Sequence, residues 1–278
     1  MAIEKCSIAK SNAKARARLL SRTGEPLFFA DWERVLFIHF EVEAAALQKD
    51  VPFELDRYDE KALVSLVAFT MRGLRPARRG AFAAWLFRPV STNDFLNVRA
   101  YVRHEGEPGI YFLREWVSNR LSVSLGPAIF GLPYRFGQFI YQHRPEQQSV
   151  SGKVTALDGA LRYSSSVISP APYKMCEPHS LDEFLHERYT AFTRHGSAHR
   201  FFRIWHSPWK LIPVTLRLED QGLLETAWPW FRQAKLIGAN YSPGAGHVWM
   251  GWPHFISNHP PGKNKPRHRT LSAFYEMP

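Results

Sequence analysis

Leu96-Asn97-Val98-Arg99-Ala100-Tyr101-Val102-Arg103, the turn Glu105-Gly106-Glu107-Pro108-Gly109, and Ile110-Tyr111-Phe112-Leu113 decide the fold of this chain. Two runs rich in β-branched and aromatic residues, separated by a Gly/Pro turn, read as an antiparallel hairpin. Successive side chains of a strand point to opposite faces. Asn97, Arg99, Tyr101 and Arg103 therefore share one face, and Leu96, Val98, Ala100 and Val102 the other. The polar face can line something, and the apolar face belongs to a core.

The same pattern continues outward in both directions. Val150 to Leu157 and Ala160 to Ile168 flank Asp158-Gly159, a strong short-range hairpin signal. Upstream, Phe28 to Val42 reads as a strand in which Phe37, His39 and Glu41 alternate with Ile38, Phe40 and Val42. Ala44 to Lys49 gives one or two helical turns ended before Pro52. Phe53 to Asp56, a polar turn at Tyr58 to Lys61, and Ala62 to Met71 read as a hairpin whose second strand is apolar on both sides, as central strands are. Arg72 to Asp94, with Phe82, Trp85 and Phe87 among arginines and prolines, suits a long, partly ordered loop.

Ser118 to Phe130 reads as a short helix broken at Gly131-Leu132-Pro133, after which Tyr134, Phe136, Phe139 and Tyr141 begin a strand. Ser180-Leu181-Asp182-Glu183 is a capping box, and Leu181, Phe184, Leu185, Arg188 and Phe192 follow it at a spacing that predicts a helix over 181–192. Arg200 to Trp205 and Pro213 to Leu218 read as strands, Glu219 to Trp228 as a helix, and Val248 to Trp252 as a closing strand. About ten strands, two or three helices and no βαβ alternation predict a mainly β fold, an antiparallel sheet or barrel with helices packed against it. No repeat or linker divides the chain. One domain is expected over 25–256, between a basic N-terminal arm (1–24) and a basic C-terminal tail (257–278).

With 278 residues, 45% apolar and 14% aromatic, the chain can bury a substantial core, which excludes disordered, collagen-like and coiled-coil classes. The net charge of +11 is concentrated at the ends. Residues 1–24 carry six Lys or Arg against Glu4, and 257–278 carry four against Glu276, leaving a surplus of only +3 for the 232 residues between. That body lacks the basic patch of a nucleic-acid reader, although the tails can hold phosphate weakly and in a salt-dependent way. Solvated termini are one reading of the arms. The other, from Leu19 and Leu20 after the Ala/Arg run, is a short basic helix docked on the body or on an anionic surface.

Cys6 and Cys176 lie too far apart in sequence to form a metal or redox motif, and two reduced thiols are expected. No run approaches the length of a membrane span, and the start shows no apolar stretch followed by a small-residue cleavage site. These features point to a cytoplasmic location.

The common nucleotide-loop, hydrolase-elbow and zinc-peptidase motifs are absent, and no cofactor or metal is expected. His195 and His199, four apart, would ligate a metal with Glu187 only if 195–199 were helical, and Gly196-Ser197 is poor helix material. His206-Ser207-Pro208-Trp209 reads as a packed loop anchor or, less simply, as a base beside an aromatic ring.

Six short segments in a fixed order carry a family resemblance. They are Leu96-Asn97-Val98-Arg99-Ala100-Tyr101-Val102, Pro108-Gly109-Ile110-Tyr111-Phe112, Ile129-Phe130-Gly131-Leu132-Pro133-Tyr134-Arg135-Phe136, Phe184-Leu185-x-Glu187-Arg188-Tyr189, His206-x-Pro208-Trp209 and Tyr241-Ser242-Pro243-Gly244. Over about residues 27–250 the chain resembles the YqjF-like family of bacterial proteins, similar in fold to acetoacetate decarboxylase. The resemblance implies a cone-shaped antiparallel β-barrel with an enclosed pocket.

In the decarboxylase the corresponding stretch has two adjacent lysines, the first forming a Schiff base. Here those positions are Tyr134 and Arg135. A phenol forms no imine, and a guanidinium stays protonated and does not attack a ketone. The resemblance thus implies a pocket that binds a small anionic organic molecule without Schiff-base decarboxylase activity. Arg135, with Arg99 or Arg120, would clamp a carboxylate or phosphate, and Tyr134 and Asn97 would add neutral hydrogen bonds. The alternatives are a surface ion pair for Arg135 and an exposed sheet-face position for Arg99. Two other functions remain open: lyase chemistry through Lys210 beside Trp209 if that amine is desolvated, and an interaction module acting through the tails. A homo-oligomer is compatible with either.

Overall fold

Strand β1 (Phe28–Val42) is buried on both faces, with Val35 and Phe37 in one hydrophobic cluster and Leu36, Ile38 and Phe40 in another. Double coverage explains why its second half reads as a near-continuous apolar run. The structure is a computed structural model and describes residues 2–78, 80–167 and 172–256, so the tail expected at 257–278 lies outside the described residues. Before β1 comes helix α1 (Ala2–Leu20). After it come α2 (Ala44–Asp50), β2 (Glu54–Leu55), β3 (Ala62–Pro76), α3 (Gly80–Leu86), β4 (Asn93–His104), β5 (Glu107–Val117), α4 (Arg120–Phe130), β6 (Tyr134–Phe136) and β7 (Gln138–Arg144). The second half runs β8 (Ser149–Ala156), β9 (Gly159–Val167), β10 (Lys174–Met175), α5 (Leu181–His186), β11 (Thr190–His195), β12 (Ala198–Trp205), β13 (Lys210–Gln221), β14 (Lys235–Met250) and β15 (His254–Phe255).

The sheet closes on itself. Around the ring, β1 pairs β3, then β4, β5, β11 and β12 follow, and β12 returns to β14 through Ile204↔Met250 and Trp205↔Trp249, while β14 pairs β1. Closure removes unpaired edges from these strands. All ring contacts are antiparallel except β5 with β11, joined at Ile110↔Ala191 and Tyr111↔Phe192. From β14 the sheet continues into an antiparallel wing, β13-β9-β8-β7. Val150, Val154 and Leu161 of the wing share a core with Leu66, Leu96 and Val98 from the ring, so the wing covers one outer face of the barrel.

The opposite faces of the ring strands, carrying Phe37, Val67, Phe69, Phe95, Ile110, Phe112 and Ile204, converge on the second cluster. The chain is mainly β, as the sequence indicates. The first arm is not a solvated terminus: α1 is docked, with Leu19 fully buried and Asn12 Nδ2 donating to the His206 carbonyl at 2.7 Å and to the Tyr189 hydroxyl at 2.8 Å. Arg16 stacks over Trp249 at 4.8 Å and Arg18 pairs with Glu107 at 2.7 Å.

Several local expectations are corrected. The capping box holds, with Ser180 Oγ accepting from the Glu183 N–H, but α5 ends at His186 rather than 192. Thr190 to Thr193, β-branched or buried aromatic for the most part, pair instead with β12. Residues 219–228 form no helix: β13 runs through Gln221, and Asp220 then caps a turn by accepting from the N–H groups of Leu224 and Glu225. The stretches 53–56 and 62–71 are not hairpin partners, because β2 pairs β4 at Leu55↔Val102 while β3 lies between β1 and β4. The expected loop over 72–94 contains the end of β3, helix α3 and a 3-10 turn at Arg88–Val90.

Candidate ligand-binding cavity

Inside the barrel lies a cavity of about 150 Å³, lined by side chains from β1, β3, β4, β5, β6, β12, β14, α4 and the segments 87–90, 186–188 and 206–209. Its wall is mostly aromatic and aliphatic, including Phe28, Phe69, Phe87, Phe112, Phe130 and Trp209. A space of roughly this volume is large enough for a small ring compound. A few polar groups interrupt the wall: Asn97, Arg99, Glu115, Ser122, Tyr134, His186, Arg188 and His206.

Strand alternation on β4 delivers Asn97 and Arg99 to the inside while Val98 and Ala100 face the outer core. Arg99 is 8% exposed. Its Nη2 donates to the Leu185 carbonyl at 2.9 Å, its guanidinium carbon lies 5.4 Å from the centroid of the Phe37 ring, and its Nε has no acceptor among the described residues. Among the described residues it forms no ion pair, whereas its neighbour Arg188 is bound to Asp56 at 2.6 Å. The Leu185 carbonyl also accepts from Tyr101, whose hydroxyl oxygen is 2.6 Å from Ser65, itself 2.7 Å from His39 Nδ1. Because Tyr101 spends its proton on the carbonyl, Ser65 donates to Tyr101 and His39 donates from Nδ1 to Ser65.

His186 packs edge-on against Phe37 and His39. Its Nδ1 donates to the Asp182 carbonyl at 2.7 Å, which leaves Nε2 as a lone pair with no donor. Burial, aided by the Arg99 charge, pushes this imidazole down to about 3, so it is neutral at physiological pH. His206 is also held below its ordinary value by burial, against a raising effect of Glu187, and it stacks on Tyr189.

At the β5 wall, Glu115 lies directly across from Asn97 on β4 and beside Tyr134 on β6. Burial raises its carboxyl well above the ordinary carboxylate range, favouring the neutral acid, and its Oε2 makes no hydrogen bond among the described residues. Burial is the main cause that raises the Tyr134 phenol well above its ordinary value, and any ionisation of Glu115 beside it would raise it further, so Tyr134 is a neutral phenol. Asn97 Oδ1 is likewise without a donor. Four buried polar atoms on lining side chains, Asn97 Oδ1, Arg99 Nε, Glu115 Oε2 and His186 Nε2, thus have no hydrogen-bond partner among the described residues, whereas buried polar groups are as a rule paired.

The structure separates the five residues singled out from sequence. Asn97, Arg99 and Tyr134 line the cavity. Arg135 does not: Tyr134 faces inward, so the next residue of the strand faces out, where Arg135 is exposed and adds its charge to the surroundings of Arg114. Arg120 is also exposed, at the start of α4, with its guanidinium 4.1 Å above the Phe136 ring. Lys210 is exposed at the first position of β13, so the desolvated amine required for lyase chemistry is not there. His195 and His199 sit on a β11–β12 hairpin rather than a helix, and no group of metal-ligating side chains occurs among the described residues. Cys176 is a buried free thiol whose pKa burial raises, while the side chain of Cys6 lies outside the described ones.

Residues 30–242 match the model of a family described as an uncharacterized conserved protein, DUF2071. The chain belongs to the DUF2071 family. A relative within reach of ordinary sequence comparison is the uncharacterized protein YqjF of Bacillus subtilis, 33% identical over 187 residues, which are 65% of this chain and 73% of that protein. Solved structures similar to this DUF2071 chain share the fold at low identity. One is an acetoacetate decarboxylase-like enzyme from Sphingomonas wittichii, with a TM-score of 0.58, 14% identity, and 84% and 94% of the two chains covered. The enduracididine biosynthesis enzyme MppR, solved with pyruvate, gives 0.59 at 14% identity over 85% and 93%. Acetoacetate decarboxylase from Legionella pneumophila gives 0.58 at 12% identity over 87% and 95%. The barrel of this DUF2071 protein is thus of the acetoacetate decarboxylase-like type.

Proposed function

We propose that this chain binds a small organic carboxylate with an apolar body inside the barrel, without Schiff-base chemistry. The observation that carries the reading is Arg99: a buried guanidinium that lines an apolar cavity, forms no ion pair among the described residues and keeps Nε free. An unpaired buried cation is costly, and a carboxylate completing its fork offsets that cost in a low-dielectric site. Asn97, Tyr134 and the neutral Glu115 then hydrogen-bond the polar remainder of the ligand, and the phenyl-rich wall takes its body. None of the described residues that line the cavity is a lysine, which supports binding without an imine. A relative in fold, MppR, has been solved with the carboxylate pyruvate.

The test is a thermal-shift panel of short-chain, branched and aromatic monocarboxylates against the wild type, Arg99→Met and Arg135→Ala. At least one acid should raise the wild-type melting temperature. Arg99→Met should abolish that shift while folding normally, since an apolar side chain of similar length replaces a buried charge, and Arg135→Ala should keep it. A shift retained in Arg99→Met overturns the reading. Borohydride reduction in the presence of acetoacetate or pyruvate should add no mass to the chain.

A further inference from the structure

Helices α3 and α4 present apolar side chains outward. On α3, Phe82 is 72% and Trp85 59% exposed, and Leu86 beside them is exposed too. On α4, Leu121, Leu125 and Ile129 recur every fourth residue, and all three are exposed, while Ser122, Gly126 and Phe130 turn to the cavity. The two segments are adjacent: Asn119, the N-cap of α4, donates to the carbonyl of Pro89, which follows α3. They also flank one end of the cavity, because Phe87 and Val90 line it from one side, and Leu125 and Ile129, both exposed, line it from the other. The cavity wall therefore reaches the surface inside this patch.

The charged side chains on the two helices and beside them are arginines, and Asp94, at the foot of α4, accepts from Thr70. Arg78, Arg88 and Arg120 are exposed and form no ion pair among the described residues, and the sequence from Lys61 to Asn93 and from Trp116 to Pro145 contains no Asp or Glu. A second copy of the chain docked here about a two-fold axis would place arginine against arginine. An anionic bilayer surface matches instead: aromatic and aliphatic side chains enter the headgroup region while arginines meet lipid phosphates. We propose that this face is a docking surface for an anionic membrane, holding the open end of the cavity against the lipid.

The experiment is vesicle flotation of the full chain with phosphatidylcholine alone and with phosphatidylcholine mixed with phosphatidylglycerol, at low and high salt. The expected result is binding to the mixed vesicles only, weakened by salt. The Phe82→Ser/Trp85→Ser variant should lose about tenfold or more in partitioning, since two large apolar side chains leave the interface, with unchanged thermal unfolding because both are exposed. Three results overturn the proposal: no binding to the mixed vesicles, equal binding of the variant, or a wild-type dimer in light scattering that the variant dissolves. The last would make the patch a self-association surface. None of these outcomes bears on the carboxylate reading, which is read from the thermal shifts of Arg99→Met.

Discussion

The Tyr134 ring lies against Gly126: a β-carbon on that glycine would fall 2.2 Å from Cε2 and 2.4 Å from Cδ2 of the tyrosine. Helix α4 and strand β6 are held at this separation because the helix has no side chain there. The contact fixes a cavity-lining phenol, so the glycine serves the site as well as the packing.

Gly126→Ala sets two effects against each other. Alanine gains about 1 kcal/mol of helix propensity over glycine, and overpacking costs about 1–3 kcal/mol. The net expectation is a loss of about 1 kcal/mol in urea denaturation and a displaced Tyr134. The double change Gly126→Ala/Tyr134→Ala should recover the propensity gain, and failure to recover it would mean the ring is not what the glycine accommodates.

Stability should fall on the acid side through the buried histidines. In the folded chain His186 titrates at about 3 and His143 at about 4, against 6.5 for an unperturbed imidazole. The unfolded chain then binds more protons as pH drops, so stability is complete above pH 6.5 and declines toward 3 to 4, by up to about 1.4 kcal/mol per pH unit for each group. Glu115 acts in the opposite direction. Its raised folded value means that its contribution is complete below 4.5, the ordinary carboxyl value, and is lost as pH rises through the folded value. Glu115→Gln should therefore raise the urea midpoint at about pH 8 and leave it unchanged below 4.5. An equal effect at both pH values would show that Glu115 is not held neutral.

Asn12→Ala should release α1. The side chain donates to Tyr189 and His206 and accepts from Trp205 Nε1 at 3.1 Å, so its removal strands buried partners at a cost of about 2 kcal/mol. Limited proteolysis should then cut within 2–20 earlier than in the wild type, while the barrel remains intact. His206 and Trp209 line the cavity, so ligand-induced thermal shifts should also weaken.

Much of the fold is legible in local pattern. The Asp158-Gly159 turn and the end of α4 at Gly131 depend on neighbouring residues and appear where the sequence places them, and the turn expected over Glu105 to Gly109 tightens to Glu105-Gly106, with Glu107 to Gly109 already paired in β5. The polar face of β4 is equally local, and it delivers Asn97 and Arg99 to the cavity. The continuation of 181–192 as strand β11 is not local: Phe192 fits a helix face, but pairing with β12 and β5 outweighs weak helix propensity. Arg135 shows the same limit, since the sequence resemblance supplies a position but not the direction in which the strand turns it.

By itself the sequence determined the alternation that puts a guanidinium and an amide on one face of β4. Only the tertiary structure decided that Glu115 joins them. From the turn, the pairing runs Arg99↔Phe112 and then Val98↔Arg114, so Leu113 is an extra residue on β5. In a regular ladder Arg114 would oppose Asn97 and Glu115 would face the outer core. The bulge reverses the parity, because each inserted residue turns every later side chain to the opposite face of a strand.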